Sequence, residues 1–168
     1  MIEPELRELL RGLVYGEVRW PLYLHGQPGR GKTCAALAMC DRCGRATYWT
    51  VRDLVEAELD SERSLPWQEK RRRYYRDYPE PQGVAVLDEL GETPATGVHW
   101  TERLHSEVVK AFADWRINTA SGVAVYISNL SPEQFRQHYD GRISSRVLCG
   151  TWYELKGFDR RLLAGKEE

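Results

Sequence analysis

The stretch Pro21 to Met39, PLYLHGQPGRGKTCAALAM, decides the fold. Pro21 to Leu24 is a short apolar run and predicts a buried strand that stops at Gly26. Thr33 to Met39 is rich in alanine and leucine and predicts a helix. Between them, Gly26-Gln27-Pro28-Gly29-Arg30-Gly31-Lys32-Thr33 fits G-x-x-x-x-G-K-[ST] without a gap. Glycines let the backbone wrap close to phosphate oxygens, and the helix that follows points its positive end at them. Lys32 is placed to reach the β- and γ-phosphates and the Thr33 hydroxyl to ligate Mg²⁺. The predicted nucleotide contact therefore runs from Gly26 through Cys34, with ATP and Mg²⁺ as the expected cofactors.

About fifty residues further on, Gly83 to Leu87 forms a third apolar strand that ends in Asp88-Glu89. So continuous an apolar run suits a parallel strand covered on both faces. Asp88 is expected to hold the magnesium, through water or directly. Glu89 is the candidate base for the attacking water. A base beside the γ-phosphate favours hydrolysis over transfer to a small molecule. The next apolar strand, Gly122 to Ser128, is followed by Asn129. Ligands of parallel sheets sit at the C-terminal strand ends, which places Asn129 beside the nucleotide, where its amide can position water.

Between these landmarks, Ala46 to Thr50 predicts a second strand and Thr50-Val51-Arg52-Asp53 a helix start, with the helix running to about Leu59. Ser61 to Ser64 reads as loop, Trp67 to Tyr78 as helix and Gly91 to Thr101 as loop. Glu102 to Asn118 reads as helix again. Ser131-Pro132-Glu133-Gln134 has the cap, the first-turn proline and the reciprocal glutamine of a strong helix start. A short helix over Ile143 to Val147 and a strand over Trp152 to Leu155 complete the pattern. Strands alternating with helices make a parallel α/β sheet. On the short helix, Arg142 and Arg146 are candidates for an arginine finger on a neighbouring subunit's nucleotide, with Arg146 preferred. Such a residue is worth ~10³–10⁵ in rate.

LYLHGQPGRGKT, VAVLDELG, VYISNLSPEQF and YDGRISSRV, followed by a closing strand and GFDRR, resemble the AAA+ ATPases. They are more closely similar to the DnaC-type bacterial helicase loaders and their IstB-like transposition relatives. The first two words belong to all P-loop hydrolases; the last two narrow the family. The resemblance covers about Leu22 to Arg161. It implies an α/β P-loop NTPase fold (AAA+ ASCE): three α/β/α layers, a five-stranded parallel sheet and no C-terminal lid domain. It also implies Lys32 and Thr33 as the nucleotide clamp, Asp88 and Glu89 as the magnesium and water pair, Asn129 as first sensor, and Arg146 as finger with Arg142 second. Rings or spirals with ATP at the subunit boundary, a replicative DNA helicase and single-stranded DNA are the implied partners. Loaders usually carry an N-terminal helicase-binding domain, whereas here about twenty residues precede the first strand. The expected division is a helical segment over 1–20 and the ATPase domain over 21–168.

Glu69 to Tyr78, EKRRRYYRDY, interleaves cations with tyrosines. Basic side chains track a phosphate backbone and aromatic faces stack on unpaired bases. Lys70, Arg71, Arg72, Arg73, Tyr74 and Arg76 are therefore the candidate DNA contacts. An amphipathic helix with its aromatic side packed inward explains the same residues, and some arginines can serve both purposes.

The whole-chain properties agree with one domain: 168 residues, 42% hydrophobic and 29% charged, with net charge −1. Near-neutral charge leaves any nucleic-acid contact to a local patch. No apolar run approaches the ~20 residues that span a bilayer, and the N-terminus lacks a signal-peptide pattern, so a cytoplasmic protein without membrane contact is expected. Cys40-Asp41-Arg42-Cys43 is a lone C-x-x-C with no second ligand pair, which predicts reduced thiols at a helix end rather than zinc. Three other functions share parts of this pattern: a transposition regulator on duplex DNA, a small-molecule kinase, and a non-hydrolysing adaptor.

Overall fold

The computed structural model describes residues 3–43, 46–62, 83–92, 102–119 and 123–157. The expected helix over Trp67 to Tyr78, with all six candidate DNA contacts, lies outside the described residues, as does most of the Gly91 to Thr101 loop. Five strands form one parallel sheet: β1 (Leu22–His25), β2 (Ala46–Thr50), β3 (Val84–Leu90), β4 (Ala124–Ser128) and β5 (Thr151–Glu154). Their order across the sheet is β2-β3-β4-β1-β5.

Strand alternation sorts the core into two layers. Leu22, Leu24, Val84, Val86, Val125 and Ile127 face one side, where they meet α1 (Pro4–Val14) and α2 (Lys32–Cys43). Tyr23, Ala85, Leu87, Ala124 and Tyr126 face the other, against α3 (Val51–Glu62), α4 (Glu102–Thr119), α5 (Pro132–His138) and α6 (Gly141–Val147). This is a three-layer α/β/α arrangement. Because β1, β3 and β4 are covered on both faces, their sequences are nearly all apolar.

Local signals in the sequence set most element starts. Asp53 N–H donates to Thr50 Oγ1 and Thr50 N–H to Asp53 Oδ2, a reciprocal cap that starts α3. Ser131 and Gln134 make the same exchange at α5. Helix α6 begins at Gly141 rather than Ile143, because the Asp140 carboxylate caps the N–H groups of Arg142 and Ile143. Ser61, expected in a loop, lies in the last turn of α3. Helix α2 outruns its expected end at Met39 and reaches Cys43, so the C-x-x-C pair sits on its final turn.

At the lower end of the sheet, the guanidinium of Arg116 on α4 is 2% exposed. Its Nη2 donates to Gly83 O at 2.7 Å, its Nε to Val123 O at 3.1 Å, and its cation lies over the Trp115 ring. These bonds satisfy carbonyls at the starts of β3 and β4 and tie both strands to one helix.

Candidate nucleotide site

The glycine loop follows β1 directly. Gly26, Gly29 and Gly31 have φ of 134°, 78° and 87°, a region that side-chain-bearing residues rarely adopt. At Gly26 space adds a second constraint, since a Cβ there would fall on the carbonyl oxygen of Leu155. Leu155 N–H in turn donates to His25 O, fixing the strand that flanks the loop. Arg30 donates to the Gln27 side chain across the loop's outer turn.

Lys32, 8% exposed, turns its ammonium back across this loop. Nζ donates to Gly26 O at 2.7 Å, Gln27 O at 2.9 Å and Asn129 Oδ1 at 2.7 Å. Asn129 follows β4, and β4 lies beside β1 in the sheet. The Asn129 amide continues outward, donating through Nδ2 to Glu92 Oε1 at 2.9 Å. On the other side, Thr33 Oγ1 donates to Asp88 Oδ2 at 2.7 Å, and the Tyr48 hydroxyl donates to the same oxygen at 2.8 Å.

Asp88 and Glu89 do not end β3, as expected from sequence. The strand continues to Leu90. Leu87 pairs with Tyr126 and Leu90 with Ser128, so β3 holds one residue more than β4 over this span. That residue makes a bulge, which re-aims side chains at a sheet end. Glu89 occupies it in the left-handed region, with φ 64°. Such a conformation costs about 1 kcal/mol or more for a residue with a Cβ. Neighbouring bonds hold it: Glu89 N–H donates to Asp88 Oδ1, Ser128 Oγ to Leu90 O, and Gly91 N–H to the Tyr139 hydroxyl. Gly91 has φ 78°, a region that side-chain-bearing residues rarely adopt, and a Cβ there would displace the Leu130 methyl.

Asp88 is 5% exposed, with two hydroxyls on one oxygen. Partial burial, then the charges of Glu92 and Asp88, raise the Glu89 carboxyl above the usual range. A carboxylate so placed is a better proton acceptor than an exposed one. Burial lowers the pKa of His25, at the end of β1, while Glu154 and Glu133 oppose the shift. The donors around Thr33 and Asp88 are oxygens alone, one of them a carboxylate. That is the set Mg²⁺ takes, with phosphate and water completing its shell. Among the described residues there is no cluster of three or more His, Cys, Asp or Glu suited to a metal.

Of the sequence-derived site residues, Lys32, Thr33, Asp88, Glu89 and Asn129 come together at adjacent strand ends. Arg146 does not join them. Its Nε pairs with Asp114 on α4, and its Nη1 donates to Arg142 O at 2.8 Å. Asp114 lies two residues from Arg116, which marks the lower end of the sheet, opposite the glycine loop. Arg142 is exposed on the same helix. Cys34 is exposed in the first turn of α2. Sequence reading missed Tyr48 and Glu92. Tyr48 pairs in register with Val86, two residues before Asp88, a relation that needs the β2–β3 pairing. Glu92 lies 37 residues from Asn129 in the chain, a relation that needs the β3–β4 pairing.

A glycine loop after β1, acids near the end of β3 and an asparagine after β4, on a sheet ordered β2-β3-β4-β1-β5, give the α/β fold of P-loop NTPases in the strand order of AAA+ domains. Among solved structures, this chain is similar to the replication initiators called DnaA. It matches AMPPCP-bound DnaA from Aquifex aeolicus with a TM-score of 0.65 at 18% identity, over 93% of this chain and 48% of that one. Domain III of the Thermotoga maritima replication initiation protein DnaA gives 0.65 at 17% identity, over 95% of this chain and 66% of that one. A replication initiator DnaA bound to AMPPCP and single-stranded DNA gives 0.61 at 17% identity, over 91% and 44%. The chain thus spans about half the length of the two AMPPCP-bound DnaA chains. No family model matches the sequence, and no curated protein does. Among the described residues, no helix is long and apolar enough to cross a membrane.

Proposed function

We propose that this chain binds and hydrolyses ATP with Mg²⁺ and acts in DNA replication, as a loader that contacts single-stranded DNA and a replicative helicase. One observation carries the catalytic part: Lys32, Asn129, Thr33 and Asp88 meet through hydrogen bonds of 2.7 Å at the ends of β1, β4 and β3. In this reading the loop amides and Lys32 grip the phosphate tail, while Thr33 and Asp88 hold the metal. Bound Mg²⁺ neutralises charge on the phosphates. Glu89 takes a proton from water as the water oxygen attacks the γ-phosphorus and the bond to the β-phosphate oxygen breaks. Asn129 orients that water. The partly buried, bulge-held position of Glu89 supports water as acceptor rather than a small molecule.

Arg146 lies at the sheet end away from its own glycine loop, so as a finger it serves the nucleotide of a second copy, in a ring or spiral. Arg142 is the alternative finger on the same helix. Lys70 to Tyr74 and Arg76 supply the contact to DNA through alternating charge and aromatic faces. The DnaA described as bound to single-stranded DNA supports this reading by likeness of fold.

The test is the ATPase rate at rising protein concentration, with and without a single-stranded oligonucleotide and a candidate helicase. The expected result is a specific activity that climbs with concentration and falls at least tenfold in Arg146→Ala, well inside the ~10³ or more lost with a finger. Full activity in a strictly monomeric sample, with Arg146→Ala unchanged, rules out the shared site. Duplex-DNA filaments formed without helicase capture assign the chain to transposition instead.

A further inference from the structure

The Lys32–Asn129–Glu92 chain has a consequence for which nucleotide the site prefers. Lys32 belongs to the loop whose lysine reaches the β- and γ-phosphates. Its ammonium is one hydrogen bond from Asn129 Oδ1, so the Asn129 amide borders the position of a terminal phosphate. A phosphate oxygen can only accept hydrogen bonds. From Asn129 it can therefore take only an N–H of Nδ2. One of the two N–H groups on that nitrogen already donates to a carboxylate, Glu92 Oε1, at 2.9 Å, which fixes the direction of the other. With Lys32 on its oxygen and Glu92 on its nitrogen, the amide is pinned at both ends.

We propose that Glu92 is a specificity-determining residue that sets the preference between triphosphate and diphosphate by fixing the Asn129 amide and setting its own negative charge beside the terminal phosphate. A triphosphate must either take the remaining N–H in the direction that Glu92 sets or turn the amide away from Glu92. In both cases it lies near a second negative charge. A diphosphate ends one group short of that position and leaves the bond intact. The carboxylate thus lowers affinity for ATP selectively. Its charge also reaches Glu89, which places it over the region where water and terminal phosphate meet. The proposal rests on the nucleotide site described above and adds to it a residue that neither the glycine loop nor the acid pair supplies.

The experiment is equilibrium binding of fluorescent ADP and of a fluorescent non-hydrolysable ATP analogue, each with Mg²⁺. The proteins are the full chain, Glu92→Gln, Glu92→Ala, Asn129→Ala and the Glu92→Ala/Asn129→Ala pair. Loss of an exposed charge-assisted bond predicts about three- to tenfold tighter analogue binding in both Glu92 variants. ADP affinity stays unchanged, and the Glu92→Ala effect shrinks in the Asn129→Ala background. Equal changes for both nucleotides, no change for either, or a Glu92 effect undiminished by loss of Asn129 overturns the proposal while leaving the site intact. Wild type that binds neither nucleotide overturns the nucleotide site itself and this inference with it.

Discussion

Replacing Lys32 by alanine separates what the lysine does for nucleotide from what it does for the fold. Lys32 is 8% exposed and its ammonium donates to three oxygens within 2.9 Å, so solvent screens it little. A unit charge about 4 Å from a phosphate charge, at an effective dielectric near 20, is worth roughly 4 kcal/mol, or 10²–10³ in affinity. Saturation at about 100 times Kd stabilises the wild type by roughly 2.7 kcal/mol. For a domain of this size, that raises Tm by about 5–10 °C. The variant at the same ATP concentration falls below half-saturation and shifts by about 1 °C or less. Without nucleotide the two proteins melt within a few degrees of each other. The loss of bonds to Gly26 O, Gln27 O and Asn129 is offset by relief from burying an ammonium. Thermal melting with and without Mg²⁺–ATP, beside direct titration, reads both effects. A Lys32→Ala protein that keeps the full ATP-induced rise refutes the reasoning.

Three further outcomes are expected. Tyr48→Phe keeps the ring and removes the donor to Asp88, so the magnesium concentration giving half-maximal ATPase rises about tenfold, as for other residues behind a metal ligand; an unchanged value removes Tyr48 from the site. Arg116→Met leaves the Gly83 and Val123 carbonyls without their guanidinium, at a cost of about 2–4 kcal/mol in urea unfolding; a change under about 0.5 kcal/mol contradicts the strand-tying role. His105 is 6% exposed, and burial, aided by the charge of His138, lowers its pKa to about 4. Its folded pKa lies below the unfolded one, so its contribution to stability is complete above about pH 6.5 and is lost as pH falls towards 4. The loss reaches up to about 3 kcal/mol. His105→Gln flattens that part of the stability–pH curve, and an unaltered slope assigns the acid sensitivity elsewhere.

Much of this molecule was legible before any coordinates. The capped starts of α3 and α5 rest on side chains three residues apart, so local chemistry suffices to read them. The glycine loop and its lysine are equally local. Helix α6 starts two residues early because Asp140 caps Arg142 and Ile143, a local signal that sequence reading passed over. The end of β3 depends on a contact over distance: the strand runs past its acids because Leu90 pairs with Ser128 across the bulge. Arg146, read as a finger on its helix, is paired within the chain to Asp114, more than thirty residues earlier.

The sequence alone determined that there would be a parallel sheet with a phosphate loop after its first strand. Three of its strands are nearly all apolar, and its loop motif has few physical alternatives. It also placed an acid pair and an asparagine near the ends of later strands. Only the tertiary structure decided that β4 inserts between β1 and β3, the step that brings Asn129 onto Lys32 and sets Asp88 against Thr33. The same holds for Tyr48 behind Asp88 and for Glu92 beyond Asn129. Strand order and register are settled by packing both faces of the sheet at once, and no window of neighbouring residues carries that information.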